Sequence, residues 1–97
     1  MIIVHDTFIC NPGNASKVAK MFKEMMRSEK ELVNIMTDMT GQYNKVVMVS
    51  KFTSLSAYEK FMEGYINPTP QMKKKFAKMA NYTEMYQTGS REIYRVW

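Results

Sequence analysis

The hydrophobic period of this chain switches repeatedly between strand-like and helical, and the order of the switches limits the folds it can adopt. Residues 2–9 are rich in β-branched and aromatic side chains and end at the turn sequence 11–14. From residue 15 onward the apolar side chains recur with a helical period. Residues 32–39 and 43–52 then resume strand character on either side of Gly41, which predicts a hairpin.

A second helical unit follows the hairpin and is interrupted by prolines. Ser56 and Glu59 have the spacing of a capping box, which predicts the start of a helix. The sequence at 67–70 cannot continue that helix, but Thr69 as cap and Pro70 as first helical residue predict another. We therefore expect the second helical unit to be split in two.

The last segment and the first helix complete the pattern. Residues 84–97 are strand-like, with Gly89 as the expected bend or bulge, and Asn14 or Ser16 is the expected cap of the first helix. The order β-α-β-β-α-β is the ferredoxin-like arrangement of the α+β class. With 97 residues the chain has the length of a single domain, and we predict one over residues 1–97.

Two continuous apolar runs predict that both faces of the sheet are covered. Residues 2–4 and 46–49 are apolar at every position, as strands buried on both sides are. Helices can cover only one face of a single ferredoxin-like sheet. We therefore expect the other face to pack on the sheet of a second copy, in a symmetric homodimer.

Composition excludes several classes of protein. No apolar run approaches the ~18 residues of a membrane span, and Asp6 interrupts the first apolar run before a signal-peptide core could form, so we predict a cytoplasmic protein with no membrane partner. The single cysteine, Cys10, cannot form an internal disulfide, and the single histidine, His5, leaves no Cys/His set for zinc. We expect no metal and no cofactor.

Positive charge is concentrated near the C-terminal end. The chain has 14 Lys and Arg against 9 Asp and Glu, and the excess comes mostly from Lys73, Lys74, Lys75 and Lys78. Such a run can attract an anionic ligand, a nucleic acid or a membrane surface, and an ordinary solvated helix face explains it equally well. Because no arginine is interleaved and the 46–49 strand lacks the RNA-recognition signature, nucleic-acid binding is disfavoured.

Three features resemble the dimeric α+β barrel superfamily, which includes antibiotic-biosynthesis monooxygenase, stress-responsive barrel and NIPSNAP-like families. They are the strand ending at Asn11-Pro12-Gly13 before a helix, the hydrophobic strand, polar turn and aromatic helix of residues 47–61, and the terminal strand. The resemblance covers essentially the whole chain. It implies a dimeric α+β barrel with ligands between helices and sheet. These families span cofactor-free oxygenation of polycyclic aromatics, haem degradation, isomerase chemistry and proteins with no assigned activity.

The haem-degrading branch is disfavoured by residue matching. The resemblance aligns Asp6 with that branch's strand-one asparagine and Phe61 with its tryptophan, so both positions are substituted. Residues 70–82 contain no histidine where the haem ligand would lie. Haem iron needs an axial ligand, and the sequence supplies none at this place.

Asp6 is the candidate catalytic residue for cofactor-independent oxygenase chemistry. That chemistry needs an apolar cavity for a phenolic substrate and a group that takes its proton. Asp6 lies between Val4 and Phe8 on one side of the first strand, where desolvation disfavours a charged carboxylate. The competing interpretation places Asp6 near a strand edge, paired with a lysine. His5 points to the opposite face and cannot share a pocket with Asp6.

Apolar side chains on the inward stripes of helices and strand are the candidate pocket. Methionine side chains are flexible and polarizable, so a methionine-rich cleft adapts to ligands, although core filling explains the same pattern. The candidates are Phe8, Phe22, Met25, Tyr58, Phe61, Met62 and Met79. We expect a small apolar or aromatic ligand. Function stays open between an enzyme of the cofactor-free monooxygenase type and a non-catalytic ligand-binding or structural dimer.

Overall fold

The computed structural model describes residues 1–41, 43–78 and 82–97, and only the backbone of Tyr82. The elements are β1 (Ile2–Cys10), α1 (Ala15–Met25), β2 (Leu32–Thr37), β3 (Lys45–Phe52), α2 (Leu55–Ile66), α3 (Pro70–Ala77), a short 3₁₀ turn (Tyr82–Glu84) and β4 (Tyr86–Arg95). The predicted α+β order is confirmed, including the second helical unit divided into α2 and α3. No helix in these ranges is both long and apolar enough to cross a membrane.

The four strands form one antiparallel sheet in the order β2-β3-β1-β4, which is the ferredoxin-like order. β1 is therefore a central strand. Asp6, at its middle, lies opposite Met48 on one side and Arg91 on the other. The predicted irregularity at Gly89 is wrong, because Gly89 pairs directly with Phe8. The register shifts instead at the end of β1, between residues 9 and 10.

The start of α2 differs from the predicted one by two residues. The helix is capped by Ser54, whose hydroxyl accepts a hydrogen bond from the Ala57 amide at 3.1 Å. Ser54 has extended backbone, as an N-cap requires, whereas Ser56 is already inside the helix. The capping-box spacing of Ser56 therefore marked the right region and the wrong residue.

The other two helix starts show one prediction confirmed and one corrected. Thr69 caps α3 by accepting from the Met72 amide at 3.3 Å, and Pro70 is the first helical residue, as predicted. Asn14 precedes α1 but its side chain makes no capping hydrogen bond. Its backbone is already near-helical, and its amide donates to Asn11 in the preceding turn.

The core consists of two separate hydrophobic clusters, one beneath each long helix. The α1 cluster contains Cys10, Val18, Phe22 and Val46, with Phe8 packed against it. The α2 cluster contains Ile2, Val4 and Phe52, with Ala57, Tyr58 and Phe61 packed against it. β1 contributes to both clusters, and Asp6 lies between its two apolar portions. The helix face of the sheet is thus buried at both ends and polar in the middle.

The opposite face of the sheet, here called the open face, is less well covered. Ile3 and Val47 lie on it half-buried, and Met36 and Tyr94 are 43% and 46% exposed. Within a single chain, burial of large side chains is therefore more complete on the helix face than on this one.

Candidate ligand-binding site

A cavity of about 210 Å³, here called the inner cavity, lies between the sheet and the helices α1 and α2. It is lined by Asp6, Phe8, Phe22, Met25, Met26, Met48, Ser50, Phe52, Tyr58, Phe61, Met62, Tyr65 and Arg91. These residues come from both hydrophobic clusters. The cavity therefore occupies the gap between the two clusters.

Polar residues on the two central strands explain why this gap exists. Asp6 on β1 and Ser50 on β3 are buried, at 7% and 5% exposure, on the helix face of the sheet. Their side chains are small and polar where the neighbouring positions, such as Val4 and Phe52, carry apolar groups. Polar side chains do not join an apolar cluster without cost. The core is therefore interrupted at this point of the sheet.

Aromatic rings form two walls of the inner cavity. On the α2 side, the Phe52 ring lies 5.2 Å from the rings of both Tyr58 and Phe61 in edge-to-face contact. On the α1 side, the rings of Phe8 and Phe22 lie 4.8 Å apart. Such ring pairs stabilise the fold by more than the burial of their surface accounts for, and they fix the walls in place. The cavity thus has rigid aromatic sides.

Four methionines supply the adaptable part of the lining: Met25, Met26, Met48 and Met62. One of them is anchored, because the Tyr65 hydroxyl donates to the Met26 sulfur at 3.1 Å. Burial raises the pKa of Tyr65 to about 12, with smaller contributions from the carboxylates of Glu29 and Glu31. Tyr65 therefore stays protonated as a donor throughout the physiological range.

An ion pair crosses the polar floor of the cavity. The Arg91 Nε donates to Asp6 Oδ1 at 2.5 Å between directly opposed residues of β4 and β1. Burial acts to lower the pKa of Arg91, but the hydrogen bond and charge of Asp6 outweigh it and raise that pKa above its usual value. The side chains of Asp6 and Arg91 are 10% and 45% exposed. Asp6 is thus buried on a central strand and paired with an arginine, not placed near an edge with a lysine.

The Tyr58 hydroxyl completes the polar group. Its oxygen is buried and is the sole such side-chain atom with no hydrogen-bond partner in the part of the chain that the structure describes. The Arg91 guanidinium carbon lies 5.6 Å from the centre of the Tyr58 ring, a cation–π contact. Burial raises the pKa of Tyr58, Arg91 lowers it and Asp6 raises it, with a net increase. A buried donor without an acceptor is rare in proteins.

A second space, the outer cavity, lies beyond the ion pair. It measures about 330 Å³ and is lined by Asp6, Phe8, Tyr86, Gly89, Ser90 and Arg91. Asp6, Phe8 and Arg91 line both cavities. The ion pair therefore stands at the boundary between them.

The structure brings most of the predicted site residues together. Asp6, Phe8, Phe22, Met25, Tyr58, Phe61 and Met62 all line the inner cavity, whereas Met79 lies outside the described residues. His5 is on the open face, 5.3 Å from the Tyr94 ring, and does not reach the cavity. Cys10 is buried in the α1 cluster, where burial raises the pKa of its thiol. A high thiol pKa disfavours a nucleophile.

Sequence reasoning missed Arg91 and Ser50. The ferredoxin-like order places the last strand beside the first, so a basic residue on that strand was a candidate partner for Asp6. The strand register decides which basic residue of the last strand pairs with Asp6, and the register is known only from the folded structure. No cluster of three or more His, Cys, Asp or Glu side chains suited to a metal occurs in the described ranges.

Neither a family model nor a curated protein matches the chain. Solved structures do match. An uncharacterized NIPSNAP domain protein from Burkholderia xenovorans superposes with a TM-score of 0.79 at 14% identity, covering 100% of this chain and 95% of that one. A NIPSNAP family protein from Agrobacterium tumefaciens gives 0.77 at 12% identity, covering 97% and 90%. An antibiotic biosynthesis monooxygenase gives 0.61 at 13% identity, covering 100% and 99%.

The chain has the fold of the NIPSNAP and antibiotic biosynthesis monooxygenase proteins. The fold that the resemblance implied is thereby confirmed over the whole length of the chain. At these identities the likeness establishes the architecture, and function must be argued from the site itself.

Proposed function

We propose that this protein binds a small apolar or aromatic molecule in the inner cavity. One observation carries the proposal: the cavity has aromatic walls and a polar floor with a buried hydroxyl that has no partner in the described part of the chain. Ligand sites are typically apolar hollows with a few polar groups that fix the orientation of the ligand. Space-filling core residues would have closed the gap, and a purely structural tyrosine would have found an acceptor.

The experiment for binding compares a blocked cavity with a matched control. Met62→Trp places a large side chain in the inner cavity, and Ile66→Trp places the same side chain on an exposed position, 71% accessible, of the same helix. We expect naphthol to bind the natural chain and the Ile66→Trp variant, and to lose at least about tenfold in affinity for Met62→Trp. Equal affinity of all three proteins would overturn the proposal.

A second candidate function is cofactor-independent oxygenation, favoured by the placement of Asp6 in an apolar cavity and by the fold shared with an antibiotic biosynthesis monooxygenase. In this scheme Asp6 accepts the phenolic proton of the substrate, which leaves an anion whose charge is shared with a ring carbon. That carbon reduces O2 and bonds to it, the peroxide takes the proton back from Asp6, and loss of water from the hydroperoxide leaves a ketone. The ion pair with Arg91 holds the carboxylate in place at the floor of the cavity.

Oxygen uptake separates the enzyme from the binding protein. Anthrone is a suitable probe, because its enol is a polycyclic phenol. If the protein is an oxygenase, the natural chain consumes oxygen with anthrone and Asp6→Asn does not, while both still bind the probe. Binding without oxygen uptake by the natural chain would assign a non-catalytic role.

We also propose that the protein acts as a homodimer, with the open face of the sheet covered by a second copy. Large side chains on this face, including Val47, Met36 and Tyr94, are half-buried or exposed in a single chain. Sheets pack face to face at about 10 Å with interdigitated side chains, which suits such a surface. The helix layer and both cavities lie on the opposite face, so each copy keeps its own site.

A further inference from the structure

We infer that the ligand of this cavity is an organic anion, an aryl carboxylate or a close equivalent, whose oxygens are bound by Arg91 and Tyr58. The inference deepens the proposed function and rests on it. The chemical class of the ligand follows from the hydrogen-bond donors of the cavity that have no partner among the described residues.

Arg91 has hydrogen-bond donors that the described residues leave unused. A guanidinium carries five N–H donors. Only the Nε of Arg91 has a hydrogen-bond partner, Asp6, among the residues whose contacts are described. The terminal nitrogens are the part of arginine that binds carboxylates in a bidentate manner. They belong to a side chain that lines both cavities and is half-exposed.

The guanidinium is also held in a fixed position. Asp6 binds it through Nε, and the Tyr58 ring packs against it with 5.6 Å between ring centre and guanidinium carbon. These two contacts reduce the rotational freedom that a free arginine loses when it binds an anion. The remaining donors are therefore preorganised for a ligand.

Tyr58 adds a second donor beside the first. Among the described residues its hydroxyl is buried without a partner, and its ring lies 5.6 Å from the Arg91 guanidinium carbon, so both groups line the inner cavity side by side. Both donate, and apart from the Arg91 Nε, which Asp6 binds, neither group has an acceptor among the described residues. A carboxylate is an acceptor only, with two oxygens and about four lone-pair sites. A ligand amine or ammonium would leave these donors unpaired.

The outer cavity gives the anionic group room beside Arg91. That cavity measures about 330 Å³ and is lined by Arg91 and by Gly89, which adds no side chain to it. A Cβ added at Gly89 would already be in ordinary van der Waals contact with the Phe8 ring, at 3.5 Å. The aromatic body of the ligand occupies the inner cavity, and its carboxylate lies at the boundary that Arg91 shares with the outer cavity.

The Asp6 carboxylate repels an anion bound beside Arg91. Removing Asp6 and removing Arg91 should therefore change anion affinity in opposite directions. The Asp6–Arg91 pair is neutral overall. Replacing Asp6 by Asn removes the repelling carboxylate and leaves the arginine charge, so anion binding becomes tighter. Replacing both residues, Asp6→Asn with Arg91→Gln, removes the attracting charge as well and avoids a buried unpaired carboxylate.

The test uses two probes with one aromatic body, naphthoate and its neutral amide. We expect naphthoate affinity to rise about fivefold in Asp6→Asn and to fall at least about fivefold, relative to the natural chain, in the double variant. The amide should bind all three proteins within about twofold. Tyr58→Phe should also weaken naphthoate binding, and it should not change the order of naphthoate affinities among the charge variants.

The outcomes keep the two proposals apart. If the amide and naphthoate both bind but neither charge variant changes their ratio, the anion inference is overturned and cavity binding stands. If neither probe binds, or if Met62→Trp leaves their affinities unchanged, the cavity is not the ligand site and the proposed function fails with it. Circular dichroism of each variant establishes that it is folded.

Discussion

The side chain of Asp6 is held by a residue that follows it 85 positions later in the chain. Because both residues lie on neighbouring strands and face the helix layer, the pair forms without distorting the sheet. Removing only Arg91 leaves a buried carboxylate without its cation. We expect Arg91→Gln to lower the free energy of unfolding by about 1–3 kcal/mol, and Asp6→Asn combined with Arg91→Gln to recover part of it, as measured by urea denaturation.

Tyr58 should show opposite effects on stability and binding. Its hydroxyl has no partner among the described residues, so Tyr58→Phe should leave the free energy of unfolding unchanged or raise it by about 1 kcal/mol. In the same variant, the affinity for a ligand that accepts a hydrogen bond should fall by about tenfold at most, which is the contribution of one hydrogen bond. Urea denaturation and a naphthoate titration measure the two effects. A clear loss of stability would mean that the hydroxyl is already bonded.

Tyr65 gives a pH prediction. Its pKa is near 10 in an unfolded chain and about 12 in the folded protein. Below the lower value it is protonated in both states and its contribution to stability is complete. Between about pH 10 and 12 the unfolded state loses the proton first, so stability falls as pH rises. Denaturation across this range should show a steeper fall in the natural chain than in Tyr65→Phe, and identical slopes would contradict the shift.

At the scale of elements, the start of α2 fixes one wall of the cavity. Tyr58 and Phe61 follow the Ser54 cap within two helical turns, and their rings pack on Phe52 of β3. The hydroxyl of Ser54 satisfies one amide that would otherwise be unpaired at the helix end. The position of the cap therefore sets which residues of α2 face the sheet.

A matched pair of substitutions tests this cap. Ser54→Ala should lower the free energy of unfolding by about 1 kcal/mol, because it removes the bond to the Ala57 amide. Ser56→Ala, two residues further into the helix, should change it by less than about 0.5 kcal/mol. Urea denaturation of both variants decides between the two serines, and a larger effect at Ser56 would restore the capping box that the sequence suggested.

For the whole molecule, the two faces of the sheet have separate roles: one supports the helices and cavities, and we propose that the other meets a second copy. Val47→Glu places a carboxylate on the open face of a central strand. Burying an unpaired charge there costs about 3 kcal/mol or more, so the dimer should dissociate at a roughly 100-fold higher concentration. Sedimentation velocity measures this, with Leu55→Glu on the exposed side of α2 as control.

The order of the elements and most of the apolar side chains around the cavity could be predicted from the sequence. These depend on local periodicity, since a side chain two positions along a strand, or three or four along a helix, returns to the same face whatever the rest of the chain does. Phe8, Phe22 and Met62 could therefore be assigned to the inward faces before the fold was known.

The groups at the floor of the cavity depend on tertiary contacts. Strand register selected Arg91 as the partner of Asp6, and a shift of one residue along β4 would have turned Arg91 to the open face. Helix packing then buried the Tyr58 hydroxyl beside that pair, with no partner among residues 1–41, 43–78 and 82–97. Such groups meet only when distant segments pack together, so the local pattern of hydrophobic residues carries no record of their contacts.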